Sequence, residues 1–185
     1  MSHFTYHDKH TAPADAVPLM EAAESTFGFV PNLVAVMAES PALTEGYLKL
    51  TEIFDKSGLS PVERQVVLLA VSRYHACHYC MAAYTVLARM TGVEEPVIQA
   101  LRDNRPVPDA RLEALRAFTV DMLEQRGWVS DEAVQRFVDA GFTRGNVGDV
   151  LVGIALKTMS NYINHMAGTE VDQAFAAGRW SPQAA

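Results

Sequence analysis

The fold is decided by one stretch, LSPVERQVVLLAVSRYHACHYC, which spans residues 59–80. It begins with a helix-start signal: Ser60 is followed by Pro61 at the first helical position and by Glu63 at the third, which makes a capping box. Residues 66–71 are then apolar without a break. A helix that is apolar all round is a buried one, so we expect this helix to be the central element.

The rest of the chain also shows helical periodicity, and no segment alternates convincingly as a strand does. We therefore predict a single all-α domain over residues 18–178, with an N-terminal arm over 1–17 and a fraying tail over 179–185. In the last helix we expect one stripe to pack into the core, formed by Val147, Val150, Leu151, Ile154, Thr158, Tyr162 and His165. Besides the helix that starts at Pro61, helices are predicted over 20–26, from Pro31, from Pro41, and over 77–90, 94–101, 111–126, 131–140 and 143–166.

The composition argues against several classes of function. The chain has 185 residues and a net charge of −7, with no block of Lys and Arg, which argues against a nucleic-acid partner. Residues 1–8 show neither the basic nor the apolar region of a signal peptide, and no apolar run is long enough to span a membrane. We therefore expect a cytoplasmic protein without membrane association.

Cys77 and Cys80, the two cysteines of the chain, stand three positions apart. In a reducing cytosol such a pair is typical of redox or metal chemistry rather than of a structural disulfide. With Cys77 at a helix start, backbone N–H groups and the helix dipole stabilise a thiolate, and Cys80 lies one turn later. By that geometry the cysteine nearer the helix start is the more acidic and the more exposed one.

Two other interpretations of the pair stay open. Both cysteines are compatible with a plain core role, because buried cysteine is frequent. His75 and His78 flank the pair and offer metal ligands, but a structural zinc site needs a second paired cluster, which the sequence lacks. The redox interpretation is favoured over both, and no metal or other cofactor is predicted.

Four side chains are candidates for proton transfer. Glu63 is either the capping-box partner or a base that serves the thiols, and its spacing favours the cap. His165 and His78 are candidates because histidine is the natural proton carrier near neutral pH, and each is also compatible with a purely structural place. Tyr84 shares a helix face with Cys80, one turn away, where it is either part of the core or a hydroxyl donor.

Four motifs resemble one family. They are residues 59–64 (LSPVER), the Cys77-x-x-Cys80 pair, residues 28–33 (GFVPNL) followed by 40–43 (SPAL), and residues 160–169 (SNYINHMAGT). The combination resembles the carboxymuconolactone decarboxylase and alkylhydroperoxidase D (AhpD-like) superfamily, and in particular its uncharacterised peroxidase-related branch. The likeness runs over residues 17–176.

The resemblance implies an all-helical AhpD-like fold that assembles as a homotrimer or homohexamer, with the Cys-x-x-Cys helix near the subunit contacts. It implies thiol-dependent reduction of hydroperoxides, or reduction of a partner peroxidase through a disulfide relay. In such proteins a glutamate, two cysteines and a histidine four residues after the second cysteine carry the proton relay. By position, Glu63 takes the glutamate role, Cys80 attacks the peroxide, and Cys77 is the exposed, resolving cysteine.

Tyr84 occupies the position of that histidine. A tyrosine with a pKa of about 10 cannot carry protons at neutral pH as imidazole does. His165 and His78 are the candidates for a substitute, and His165 is preferred because its helix is expected to pack in the core.

The sequence therefore predicts an antioxidant dithiol oxidoreductase with peroxidase activity of the peroxiredoxin type. It needs a hydroperoxide substrate and either a thiol reductant or a partner peroxidase. Two alternatives from other classes remain: a non-enzymatic oligomeric redox sensor or binding scaffold, and a decarboxylase of the carboxymuconolactone type. The decarboxylase is disfavoured because that activity has no evident use for a redox dithiol.

Overall fold

The computed structural model describes residues 4–181 and confirms the all-α prediction, since this range contains helices and no β-strand. Two short 3-10 helices, Ala14–Ala16 and Gln173–Gly178, lie near its ends. In the part of the chain that the structure describes, none of the helices combines the length and the apolarity that a membrane span needs. The α-helices are α1 Val17–Phe27, α2 Asn32–Met37, α3 Pro41–Asp55, α4 Pro61–Tyr74, α5 His78–Thr91, α6 Glu95–Arg102, α7 Ala110–Glu124, α8 Asp131–Asp139 and α9 Arg144–Ala167.

Local sequence signals set the main helix boundaries. The capping box of α4 is confirmed: Ser60 Oγ accepts the Glu63 N–H at 3.3 Å, and the Glu63 carboxylate accepts the Ser60 N–H at 2.7 Å. Helices α1 and α5 end at Gly28 and Gly92, whose φ angles of 79° and 86° lie in the left-handed region that favours glycine. Such caps satisfy backbone groups that a helix end leaves unpaired.

Helix α4 is the centre of the core. Its residues 66–71 are all buried, as the unbroken apolar run predicts. Helices α5, α7 and α9 pack around α4, and α6 contacts it as well. The C-terminal end of this buried helix leads directly into the turn that carries the two cysteines.

Helix α9 corrects the prediction of its buried stripe. Val150 is buried, but Tyr162 and His165 of the same predicted stripe are exposed. The side of α9 that packs into the core instead carries small and polar residues, among them Gly153 and Lys157.

Close packing at Gly153 explains this orientation. A Cβ atom at Gly153 would lie 2.8 Å from a side-chain carbon of Val67 and 2.9 Å from the ring of Phe54. Helix α9 therefore approaches α3 and α4 through the face that has no bulk, and the apolar stripe is turned partly outward.

The segment after α9 folds back over α5. Arg102 donates to the carbonyl oxygens of Gly178 and Arg179, each at 2.9 Å, and Trp180 Nε1 donates to the Arg102 carbonyl at 3.1 Å. The predicted tail thus begins with packed residues, while its positions 182–185, like positions 1–3 of the arm, lie outside the described residues. The division into arm, domain and tail stays a prediction.

Candidate active site

A tight turn between α4 and α5 presents the cysteines. Ala76 has a φ of 51°, which a non-glycine residue rarely adopts, and the Cys77 N–H donates to the Ser72 carbonyl at 3.0 Å. Cys77 is the N-cap residue of α5, and its side chain makes no capping hydrogen bond. Its thiol is therefore available to Cys80, which follows one helical turn later.

Both cysteines are buried and carry free thiols. Cys77 and Cys80 are each 1% exposed, so the expectation that Cys77 is the more exposed of the two is wrong. The backbone hydrogen bond of Cys77 folds the N-cap residue back against the end of α4 and takes it out of water. Cys80 Sγ lies 3.3 Å from Asn164 Nδ2, which donates to it, and 3.8 Å from Ser160 Oγ.

A lysine that the sequence analysis did not single out completes the surroundings of Cys80. Lys157 is 0% exposed, and its Nζ lies 3.9 Å from the centre of the Tyr84 ring in a cation–π contact. Among residues 4–181 its ammonium group has no hydrogen-bond partner. The available signal was spacing, because Lys157, Ser160 and Asn164 follow one another on a single helical face.

The pKa values of the two thiols are shifted in opposite directions. Burial raises the pKa of Cys80, but the Cys77 thiol that donates to it, the Lys157 ammonium and the Ser160 hydroxyl outweigh burial and hold that pKa well below its usual range. The pKa of Cys77 is raised, first by its hydrogen bond to Cys80 and then by burial. This reverses the prediction from helix position, because a buried cation beside Cys80 outweighs the helix dipole at Cys77.

Cys80 borders a small apolar cavity of about 30 Å³. Its walls come from α1, α2, α3, α5 and the Gln173–Gly178 segment. Because one water needs roughly 10–15 Å³ of such space, the cavity holds about two water-sized groups. Its aromatic wall residues are Phe27, Tyr47, Tyr79, Tyr84 and Phe175.

Tyr84 lines this cavity next to Cys80, on the helix face that the two share. Burial, followed by the charge on Cys80, raises the pKa of Tyr84. The pKa of Tyr47 is also raised well above its usual value, by burial and then by Tyr84. Both phenols are therefore neutral at physiological pH and do not exchange protons there as a histidine does.

Cys77 borders a wider cleft of about 540 Å³, whose lining includes His75, His78 and His165. His165 is exposed here, so the expectation that it lies in the core is wrong. His78 is exposed as well, and its Nδ1 lies 3.1 Å from the Trp180 carbonyl oxygen. Burial, followed by the charge of His165, lowers the pKa of His75. Over residues 4–181 no group of three or more His, Cys, Asp or Glu side chains is placed to hold a metal ion.

Glu63 lies at the far end of α4 from the thiols. Its carboxylate accepts hydrogen bonds from the Ser60 N–H at 2.7 Å and from Arg111 Nε at 2.9 Å. Burial raises the pKa of Glu63, but these two donors outweigh burial and lower it. The 14 residues of α4 span about 20 Å and separate Glu63 from Cys77. The structure thus confirms the capping role and does not bring Glu63 to the dithiol.

Comparison with known proteins gives a partial family match and the fold. The model of the carboxymuconolactone decarboxylase family matches residues 41–121, which include α3, α4, α5 and both cysteines. An AhpD-core structure, an uncharacterised peroxidase-related protein from Ralstonia eutropha JMP134, shares the fold with a TM-score of 0.84, 21% identity and 98% coverage of each chain. The chain therefore has the AhpD-like fold, and its residues 41–121 are similar to the carboxymuconolactone decarboxylase family.

Two further solved structures share the AhpD-like fold. An uncharacterised peroxidase-related protein from Silicibacter sp. TM1040 has a TM-score of 0.79 and 19% identity over 94% of each chain. The debrominase Bmp8, solved as a variant in complex with 2,3,4-tribromopyrrole, has a TM-score of 0.78 and 17% identity over 96% of each chain. Proteins of curated function give no significant sequence match.

This AhpD-like chain keeps a buried dithiol but surrounds it differently from the relay that the resemblance implies. Glu63 is bound elsewhere, Tyr84 is neutral, and His165 lies on the side of Cys77. The polar groups near the sulfur of Cys80 come from α9, with Lys157 as the cation.

Proposed function

We propose that this AhpD-like protein is a dithiol oxidoreductase that reduces hydroperoxides. The observation that carries the proposal is the environment of Cys80. Its buried sulfur has a second thiol beside it, is favoured as a thiolate by Lys157 and Asn164, and borders an apolar cavity. The thiolate, rather than the thiol, is the form of cysteine that acts as a nucleophile.

The reaction follows from the order of the two thiols. The Cys80 thiolate attacks the outer oxygen of the peroxide, the O–O bond breaks, and Cys80 becomes a sulfenic acid. The departing oxygen takes up a proton and leaves as an alcohol, or as water when the substrate is hydrogen peroxide. Cys77 then attacks the sulfenic sulfur, its proton leaves with the hydroxyl group as water, and a disulfide forms. An external dithiol reduces this disulfide in two exchange steps.

The size and the walls of the cavity support a peroxide as the substrate. About 30 Å³ admits roughly two water-sized groups, which matches the two oxygens of a peroxide. The small volume favours a hydroperoxide with at most a small organic part, and the aromatic and aliphatic walls suit such a part because moving apolar surface out of water is favourable.

Debromination is the competing activity to consider in this fold, since Bmp8 is a debrominase whose structure holds 2,3,4-tribromopyrrole. A ring that carries three bromine atoms is much larger than the cavity at Cys80. Peroxide reduction therefore ranks first, and a brominated pyrrole is the comparison substrate in the same assay.

The finer predictions about assembly and location are part of this proposal. We expect a homotrimer or homohexamer in the cytoplasm that takes electrons from a thiol reductant or passes them to a partner peroxidase. On α9, Leu151, Tyr162 and Met166 are each more than half exposed, and association with a second copy would cover such apolar surface. Sedimentation in solution tests the assembly, and a monomer at micromolar concentration would contradict it.

A thiol count tests the proposed activity directly. Fully reduced protein is mixed with one equivalent of an organic hydroperoxide, and we expect both thiols to disappear as one alcohol forms. Cys77→Ser should stop at a sulfenic acid on Cys80, whereas Cys80→Ser should keep Cys77 reduced. Retention of both thiols in the wild type would contradict the proposal. Repeated turnover with a dithiol separates an enzyme from a sensor, which reacts once.

A further inference from the structure

The proposed reaction needs a cation beside the reacting sulfur and a proton for the departing oxygen. The relay that the resemblance implies supplies neither of them at Cys80. Glu63 is engaged by Arg111 at the other end of α4, Tyr84 is neutral, and His165 lies on the other side of the dithiol. Another group has to fill both roles.

Lys157 has the position that these roles require. It lies one helical turn before Ser160 and two turns before Asn164, the residues that contact Cys80 Sγ, so all three project from one face of α9. Its side chain is fully buried, and its Nζ rests over the ring of Tyr84 at 3.9 Å from the ring centre. Both Tyr84 and Cys80 line the small cavity.

Within the described chain, the N–H groups of Lys157 have no partner of ordinary hydrogen-bond geometry, apart from the interaction with Cys80 that lowers the pKa of that thiol. Lys157 Nζ has no hydrogen-bond partner among residues 4–181, and the same holds for both amide atoms of Asn161 and for Asn164 Oδ1. Buried polar atoms without partners are rare in folded proteins, and each one calls for a ligand, a water or a catalytic role. Here four such atoms lie on the face of α9 that contacts Cys80 through Ser160 and Asn164.

The charge of Lys157 is balanced by Cys80. The other titratable groups that act on this pair come from three places. They are Tyr47 of α3, Tyr84 of α5 with Cys77 at its N-cap, and His75 from the turn after α4. Asp55 acts on Tyr84. The two phenols and Cys77 have raised pKa values and His75 has a lowered one, so all four are neutral at physiological pH. A buried ammonium is costly unless it is paired, and the Cys80 thiolate is the anion available to it.

We propose that Lys157 is a catalytic residue of this site, whose ammonium group holds Cys80 as the thiolate and protonates the departing oxygen. This inference rests on the proposed function. The Cys80 thiolate forms the S–O bond to the outer peroxide oxygen, which keeps its hydrogen, and the O–O bond breaks. The departing oxygen takes one proton from Lys157 and leaves as an alcohol, so Lys157 becomes a neutral amine. After the external dithiol has restored both thiols, the proton of Cys80 returns to Lys157.

Tyr84 is then a positioning residue and not a weakened proton carrier. Its ring supports the ammonium group through a cation–π contact, which an imidazole of different size and charge does not reproduce. The substitution of tyrosine for the family's histidine and the presence of a buried lysine are therefore two parts of one arrangement.

The test compares Lys157→Met with Lys49→Met, the same change at an exposed lysine of α3. The ultraviolet absorbance of the thiolate is followed against pH in the reduced full-length protein, and Cys80→Ser gives the Cys80 part by difference. In Lys157→Met the Cys80 titration should move up by roughly one to three pH units, which is about a 10- to 1000-fold change in the thiolate equilibrium. Lys49→Met should titrate like the wild type, and an unchanged titration in Lys157→Met would overturn the proposal.

Two further variants keep the test decisive. Methionine in place of a buried charge of similar volume is expected to fold, and Lys157→Leu repeats the measurement should Lys157→Met fail to fold. Tyr84→Phe keeps the ring and should keep the Cys80 titration. Tyr84→His restores the family residue but replaces the phenol ring that contacts Lys157, and we expect no gain in turnover. A turnover above that of the wild type in Tyr84→His would overturn the proton-donor role of Lys157.

The titration and the peroxide assay also separate the two proposals. One outcome is that the protein consumes no peroxide, while Cys80 titrates at higher pH in Lys157→Met than in the wild type. This outcome supports the stabilisation of the thiolate by Lys157 and contradicts the proposed function. A protein that turns over peroxide equally well with and without Lys157 contradicts only the inference about Lys157.

Discussion

Glu63 and Lys157 are the two charged side chains that are buried among residues 4–181, and their surroundings differ. Glu63 accepts hydrogen bonds from the Ser60 N–H and from Arg111, so its charge is fully matched at the start of α4. Lys157 lies midway along α9, with the Tyr84 ring beneath its ammonium group and no hydrogen-bond partner of ordinary geometry in the described chain.

The difference separates a charge that serves stability from a charge that serves chemistry. A buried carboxylate with a cap and an ion pair lowers the free energy of the folded state relative to the same group left unpaired. A buried ammonium without hydrogen bonds raises that free energy, and it persists in a protein when the site uses it. The predictions below test whether the two charges divide in this way.

The largest expected effect is a loss of stability in Glu63→Ala. The change leaves the Ser60 N–H and Arg111 without their acceptor and should lower the free energy of unfolding by about 1–3 kcal/mol, with the half-exposed arginine contributing the smaller share. Denaturant unfolding measures it, and Glu45→Ala on the exposed surface of α3 is the control. A fall in the Cys80 thiolate fraction of the folded variant would contradict the structural role of Glu63.

A smaller effect of opposite sign is expected for Lys157→Met. In this variant Cys80 takes up a proton and leaves no unpaired charge behind. Replacing the buried ammonium by an apolar side chain of similar volume should then raise the free energy of unfolding by about 1–2 kcal/mol while activity falls. Thermal and denaturant unfolding of the reduced protein measure the change. A strongly destabilised Lys157→Met would mean that Lys157 is a structural residue like Glu63.

Additivity sharpens the comparison further. Because Glu63 and Lys157 share no partner, the effect of the double variant Glu63→Ala with Lys157→Met should equal the sum of the single changes within about 0.5 kcal/mol. A larger deviation in a double-mutant cycle would show that the two charges are coupled through α4.

The smallest expected effect is the acid dependence of stability at Glu63. Its folded-state pKa lies below its unfolded value, because the Ser60 N–H and Arg111 outweigh the effect of burial. Its contribution is therefore present above the unfolded pKa of about 4.5 and is lost as the pH falls through the lower folded value. In Glu63→Gln the free energy of unfolding should depend less steeply on pH in that window. A pH dependence equal to that of the wild type would contradict the assignment.

Helix positions were accessible from the sequence because their signals are local. The capping box at Ser60 and the glycine at Gly28 act within a few residues, and the structure shows both at the predicted places. The burial of residues 66–71 was also predictable, since an all-round apolar helix has no solvent-facing side.

The residues that form the site could be predicted only in part from the sequence. Lysine is a surface residue in most proteins, so its shared helical face with Ser160 and Asn164 does not by itself mark Lys157 as buried. The orientation of α9 depends on the close approach at Gly153, a contact between distant segments that apolarity in α9 does not report. For the same reason His165 was expected in the core, although it lies exposed at the cleft beside Cys77.

Phe175, which closes one side of the cavity at Cys80, belongs to a segment that folds back over α5. During synthesis on the ribosome the two cysteines therefore leave the exit tunnel well before the residue that shields them. In a nascent chain the dithiol is not yet covered by the segment that contains Phe175, so its protection from indiscriminate oxidants is acquired late. Newly made protein should consequently be most vulnerable to oxidative damage in the interval before this segment docks.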